Sequence, residues 1–103
     1  MIDCNRSILI ARIVKTNYIY IKTSGLLVYY NFELGDKRYD GPCNIGMNYS
    51  YELKNELLYK SIPIIYCAEN PDINCTLITP EQFNQFGYYF PDSLNWIENF
   101  RKK

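Results

Sequence analysis

The sequence predicts an α+β domain: a small, mostly antiparallel β-sheet or open β-barrel, with one or two short helices near its end. Three observations carry that expectation. The first forty residues are dense in β-branched and aromatic side chains interrupted by glycine turns, and such side chains fit a pleated, half-buried surface. Ile62–Cys67 is apolar on both faces, with Ile62, Ile64 and Tyr66 on one and Ile65 and Cys67 on the other, as in a strand covered on both sides. Thr79-Pro80-Glu81-Gln82 forms a capping box with proline at the first helical position, a specific helix start.

Taken in order, the chain divides into a β-meander (7–41), a loop or short helix (42–60), a strand and Asn-Pro turn (61–78) and a helical tail (79–103), all within one domain. Ser7–Thr23 is β-prone, but its alternation slips near Arg12–Asn17, which predicts a bulge, a bend or two shorter strands. Thr23-Ser24-Gly25 reads as a turn. In Leu26–Leu34, Val28, Tyr30, Phe32 and Leu34 share one face and Tyr29, Asn31 and Glu33 the other, the pattern of a half-buried antiparallel strand. Gly35-Asp36 closes a second hairpin, Lys37–Asp40 starts a third strand, and Gly41-Pro42 ends the meander.

Asn44–Tyr49 reads as a loop. Leu53, Leu57 and Leu58 lie at helical spacing, so Ser50–Tyr59 predicts a helix capped by Ser50, with a strand as the competing reading. Asn70-Pro71-Asp72 is expected to stop the Ile62–Cys67 strand as a turn, before a short Cys75–Ile78 strand. After the capping box, Gly87 is a natural stop, and Phe83 and Phe86 are placed to pack on the sheet. Pro91-Asp92-Ser93 opens a last segment with an apolar stripe of Leu94, Trp96, Ile97 and Phe100. Arg101–Lys103 suits a fraying helix C-terminus.

Composition narrows the function classes. Eleven Lys and Arg balance eleven Asp and Glu, so the chain lacks the surplus of cations that phosphate binding draws on. Alanine occurs twice beside eleven tyrosines; abundant Tyr, Asn, Ile and Lys with scarce Ala resembles AT-rich codon usage, which discounts the tyrosines as a signal. No run reaches the roughly 18 apolar residues of a membrane helix, and the first residues lack the pattern of a signal peptide. A soluble, cytoplasmic chain is expected, unless it is cut from a membrane-anchored protein.

Few residues point to chemistry. Without histidine, Ser-His and Cys-His nucleophile pairs are excluded within one chain. No cofactor, metal or catalytic residue is expected. The cysteines, Cys4, Cys43, Cys67 and Cys75, contain no C-x-x-C pair; free, mostly buried thiols are the plain reading, and a Cys67–Cys75 disulfide across the Asn-Pro turn is the alternative. Glu33, Asp36, Asp40, Glu69 and Asp72 are explained by turn solvation. Gly35, Gly41 and Gly46 fit no phosphate loop, and the Asn-x-Ser/Thr triplets at Asn5, Asn48 and Asn74 read as chance.

Arg12-Ile-Val-Lys15, Val28-Tyr-Tyr-Asn-Phe32, Lys37-Arg-Tyr-Asp-Gly41 and Ile62-Pro-Ile-Ile-Tyr66 with Asn70-Pro71 resemble a recurrent order in the DUF3592-like family of bacterial proteins. The resemblance spans residues 10–78. Lys60-Ser61 and Cys67-Ala68 depart from it, where the family carries a Gly-Asp or Gly-Lys turn and an Asp-Pro. It implies a small β domain, membrane-associated in relatives through helices lacking here, and no catalytic residues.

Three functions follow as expectations. The leading one is a non-catalytic protein-interaction or accessory module, meeting a protein partner or a second copy through Tyr18, Tyr20, Tyr29, Asn70 and Pro71. The alternative is a single-stranded nucleic-acid-binding barrel, with Tyr18, Tyr20, Tyr29, Tyr30 and Tyr39 as stacking platforms and Lys15, Lys22, Lys37 and Arg38 as cations. An enzyme with a carboxylate or cysteine centre needs convergent polar groups in a deep pocket, which nothing in the sequence positions.

Overall fold

The computed structural model describes residues 4–19 and 25–102. Its six strands are β1 (Arg6–Ile19), β2 (Gly25–Leu34), β3 (Lys37–Asp40), β4 (Cys43–Asn44), β5 (Ser61–Cys67) and β6 (Asn70–Thr76). They form one antiparallel sheet in the order β3-β2-β1-β5-β6, with β4 paired to β2 beyond β3. Helix α1 (Leu53–Leu57) lies between β4 and β5, and α2 (Pro80–Gln85) and a 3₁₀ helix (Asp92–Phe100) follow the sheet. The α+β class read from the sequence is the observed one, with the sheet left open. Among the described residues, no helix is long and apolar enough to cross a membrane.

The core sits on the face of the sheet that alternation in β2 selects. Val28, Tyr30 and Phe32 are buried there beside Ile13, Ile62 and Ile64, under Leu53 and Leu57 of α1 and Ile97 of the 3₁₀ helix. Ile64 and Ile65 are both fully buried, as a strand covered on both faces requires. Pro63 lies inside the sheet, a place that usually needs a donor. It is tolerated because β6 is paired only as far as Thr76, opposite Ile64, while the Pro63 carbonyl accepts from Leu77 N at 2.9 Å. The missing N–H therefore faces past the end of a ladder.

Two irregularities break the ladders. Ile13 pairs with Tyr30 and Lys15 with Tyr29, so Val14 is an extra residue, the bulge expected where alternation slips. In β6, Asn74 pairs with Tyr66 and Asn70 with Cys67, which leaves Pro71, Asp72 and Ile73 unopposed. This corrects the expected Asn70-Pro71-Asp72 turn. Ala68 and Glu69 make the hairpin turn, and Asn70 already belongs to β6. The Asn74 amide holds the protruding residues, donating to the carbonyls of Pro71 at 2.8 Å and Asp72 at 3.3 Å.

Local signals at the C-terminal end are realised closely. Thr79 Oγ1 accepts from Gln82 N at 3.1 Å, the Gln82 side-chain oxygen accepts from Thr79 N at 3.3 Å, and Gly87 at φ +80° follows the end of α2. Leu94, Ile97 and Phe100 recur every third residue, which a 3₁₀ helix with three residues per turn stacks on one side. Three expectations are corrected. The helix in 50–59 is a single turn starting at Leu53, and Ser50 does not cap it; its N–H donates to Phe100 O at 2.6 Å. The 44–49 loop contains the start of a pairing, since Asn44 faces Leu27 across β4. Arg101 and Lys102 are held rather than frayed: Lys102 N donates to Asn48 O at 2.7 Å, and Arg101 bridges to Tyr49. The Thr23-Ser24 turn and Lys103 lie outside the described residues.

Candidate functional site

The residues expected to form an interaction surface do not share one. Tyr18 pairs with Leu26 on the core face, and its hydroxyl donates to Tyr49 O at 3.1 Å. Tyr29 lies opposite Lys15 on the outer face, with the Lys15 ammonium 5.3 Å from its ring centre. Asn70 and Pro71 stand at the far end of β6, and Tyr20 lies outside the described residues. Of the further stacking candidates, Tyr30 is buried and Tyr39 stacks on Phe32 at 5.5 Å. Lys22 is also outside the described residues.

What the sheet exposes instead is aliphatic. In β1, Leu9, Ala11 and Ile13 point to the core, so Ile8 and Ile10 point outward at 46% and 65% exposure. Val14 is exposed beside them at the bulge. Because β1 is the middle strand of five, these side chains occupy the centre of a sheet face. Beside Ile10 a cleft of about 350 Å³ opens between β5 and the 3₁₀ helix, lined by Pro63, Pro91, Leu94 and Trp96, with Lys60 at its border. The Lys60 ammonium lies 5.7 Å from the Trp96 ring centre and the Arg12 guanidinium 5.8 Å from that of Tyr59. An apolar floor edged by aromatic-bound cations results.

A second cluster is polar and collects residues far apart in sequence. Cys43 Sγ accepts from Thr76 Oγ1 at 3.4 Å and from the Gln82 side-chain amide at 3.6 Å, and that amide also donates to Thr76 Oγ1 at 2.9 Å. Hydrogen bonding from Cys75, followed by that from Thr76 and Gln82, outweighs burial and holds the Cys43 thiol below its ordinary value. The Cys75 thiol is raised in turn, by its bond to the Cys43 sulfur and by burial. Tyr30, raised chiefly by burial, donates its hydroxyl proton to Asn74 Oδ1 beside this pair. Gly41 is required there, since a Cβ would stand 2.6 Å from the Tyr30 ring.

The other two cysteines are bonded. Cys4 and Cys67 form a disulfide with Cα atoms 5.7 Å apart, so the partner of Cys67 is Cys4 and not Cys75. Cys43 and Cys75 are the free thiols. Cys4, Cys67 and Glu69 also bring three donor atoms within 4.8 Å, but the disulfide uses two of them. A third polar group closes the C-terminus. Arg101 donates to the Glu81 carboxylate at 2.8 Å, to Glu98 at 2.7 Å and to the Tyr49 hydroxyl at 2.9 Å.

The outer isoleucines were hidden in the sequence because Ser7–Val14 is apolar on both alternating sets, which reads the same whether one face is covered or two. The cysteine cluster had no signature, since its members come from β4, β6 and α2. Its one local trace was the Gln82 of the capping box. No protein-family model, curated protein or solved structure matches the chain, so the geometry carries the functional reading.

Proposed function

We propose that the chain is a non-catalytic protein-interaction module that receives an apolar segment of a partner protein on the outer face of β1. The observation that carries this reading is Ile10, 65% exposed in the middle strand of the sheet. Monomeric proteins rarely leave contiguous apolar patches larger than a few hundred Å² uncovered, and here exposed Ile8 and Ile10 lead to a cleft, lined by Ile10 itself, whose walls include Pro63 and Trp96. Such a cleft suits one aliphatic or aromatic anchor, the kind of contact that dominates interface energy.

The sheet edges suit a partner less well. Pro71 and the protruding residues interrupt β6, and β3 carries Lys37, Arg38 and Asp40, devices that discourage edge pairing. The nucleic-acid alternative is weakened by the burial of Tyr30 and the separation of Tyr18 from Tyr29 on opposite faces.

The test is affinity capture from host lysate with the wild-type chain, Ile10→Glu and a distant control, Met47→Ser, alongside light scattering for self-association. A protein retained by wild type and Met47→Ser but lost with Ile10→Glu supports this face. Equal retention by all three, or capture of nucleic acid alone, overturns it.

A further inference from the structure

We propose that, once the Cys4–Cys67 bridge is reduced, Cys4, Cys67 and Glu69 hold a soft divalent cation of the zinc class, so that this corner of the sheet carries either a disulfide or a metal ion. This goes beyond docking on the β1 face and does not depend on it. A carboxylate is held against a sulfur here. Glu69 Oε2 lies 3.7 Å from Cys67 Sγ, and a sulfur in a disulfide has no proton to donate. Backbone places the carboxylate instead: Asn5 N donates to Glu69 Oε2 at 3.0 Å and to Oε1 at 3.3 Å. The Asn5 carbonyl in turn accepts from Ala68 N at 2.7 Å, which continues the β1–β5 ladder past the Arg6–Cys67 pair. The three side chains therefore come from two segments already fastened to each other by main-chain bonds.

The spacing is that of a coordination shell. With zinc–sulfur near 2.3 Å and zinc–oxygen near 2.1 Å, a tetrahedron sets sulfur and oxygen about 3.6 Å apart, and Glu69 Oε2 stands 3.7 Å from Cys67 Sγ. Donor atoms of all three residues lie within 4.8 Å of one another. Two sulfurs of one tetrahedron stand about 3.8 Å apart, so the cysteines must part when the bridge opens. Their Cα atoms are 5.7 Å apart, and rotation about the Cα–Cβ bonds supplies that separation without moving the strands. Thiolates select zinc-class cations over magnesium and calcium. Cys67 is buried, Cys4 half-buried and Glu69 exposed, so the fourth position faces solvent and takes water.

Reduction is by a dithiol, whose two sulfurs join while its two hydrogens pass to Cys4 and Cys67. The cation then displaces both thiol protons into solvent and binds two thiolates and the Glu69 carboxylate, with no further electron transfer. Because those protons leave on binding, affinity falls as pH drops.

The experiment reduces the full chain with a phosphine, removes the phosphine without air and titrates with zinc sulfate, then with cadmium for its ultraviolet thiolate-to-metal band. Native mass spectrometry should count one ion on the reduced chain and none on the oxidised chain. Zinc should slow alkylation of Cys4 and Cys67 without changing the rate at Cys43 and Cys75, a peptide map that needs no variant. The double variant Cys43→Ser, Cys75→Ser should keep the ion. Glu69→Gln, at an exposed position, should weaken binding at least about tenfold, the scale on which even groups behind metal ligands act; thermal unfolding checks that it is folded. An ion on the oxidised chain, protection falling on Cys43 and Cys75, Glu69→Gln binding as tightly as wild type, or a reduced chain that takes up no zinc each overturns the proposal.

Discussion

Thr79→Ala should destabilise the chain by about 2 kcal/mol, and the structure lets that figure be divided. Thr79 is only 2% exposed, and its Oγ1 caps Gln82 N at 3.1 Å. Losing such a cap costs about 1 kcal/mol, and losing a buried methyl about 0.8 kcal/mol more. Thr79→Ser keeps the oxygen and should lose only about 0.8 kcal/mol. Thr79→Val keeps the shape but leaves the Gln82 N–H without its acceptor, and should lose about 1 kcal/mol or more. Urea unfolding with unchanged slope measures all three. For a domain of this size Thr79→Ala should also lower Tm by roughly 8–16 °C. If Thr79→Ser costs as much as Thr79→Ala, or Thr79→Val costs nothing, the hydroxyl is not holding α2 and the reasoning fails.

Other consequences can be checked on the same apparatus. Cys4→Ser opens a bridge spanning 63 residues, and the chain-entropy argument puts the loss at about 4 kcal/mol as an upper figure; reductant should weaken wild type but not the variant, and alkylation of unfolded, unreduced wild type should tag Cys43 and Cys75 alone. Tyr59 adopts φ +66°, a region costly for any residue with a Cβ, so Tyr59→Gly should be more stable than Tyr59→Ala by about 1 kcal/mol, the reverse of the order found in helices and strands. Equal midpoints in denaturant would remove that assignment. Arg101→Ala should cost about 1–2 kcal/mol at neutral pH through its bonds to Glu98 and Tyr49, with the exposed Glu81 pair contributing little of it. The Glu81 carboxyl is held below its ordinary value first by its bond to Arg101, so its folded form binds fewer protons than its unfolded form. That contribution is present above the ordinary carboxyl range and fades as pH falls through the lowered value; the gap between wild type and Arg101→Ala should narrow in acid only by this small share, and a gap that widens as pH falls would contradict the pairing.

The chain's functional surface illustrates how burial decides meaning. Ile10 and Ile64 are the same residue type on neighbouring strands, yet one is 65% exposed and the other fully buried. Their difference lies in which face α1 and the 3₁₀ helix cover, and no local pattern states that. The same holds for Asn74. Its Asn-x-Thr triplet reads as chance, while in the fold its side chain links the protruding part of β6 to Tyr30.

The features legible from neighbouring residues alone were local: the face alternation of β2, the Gly35 hairpin, the slip in β1, the double-sided burial of β5 and the capping box of α2. Each arises from a period of two or from hydrogen bonds between residues at most four apart, and such information is complete within a short window. Long-range packing sets the rest: Cys67 meets Cys4 rather than Cys75, Cys43 meets Thr76 and Gln82, Arg101 is clasped instead of frayed, and Ile8 and Ile10 on the outer face of β1 stay exposed. Those outcomes depend on strand order and on how the C-terminal segments fold back. Encounters across tens of residues are set by the packing of the whole sheet, and a short stretch of sequence carries no record of them.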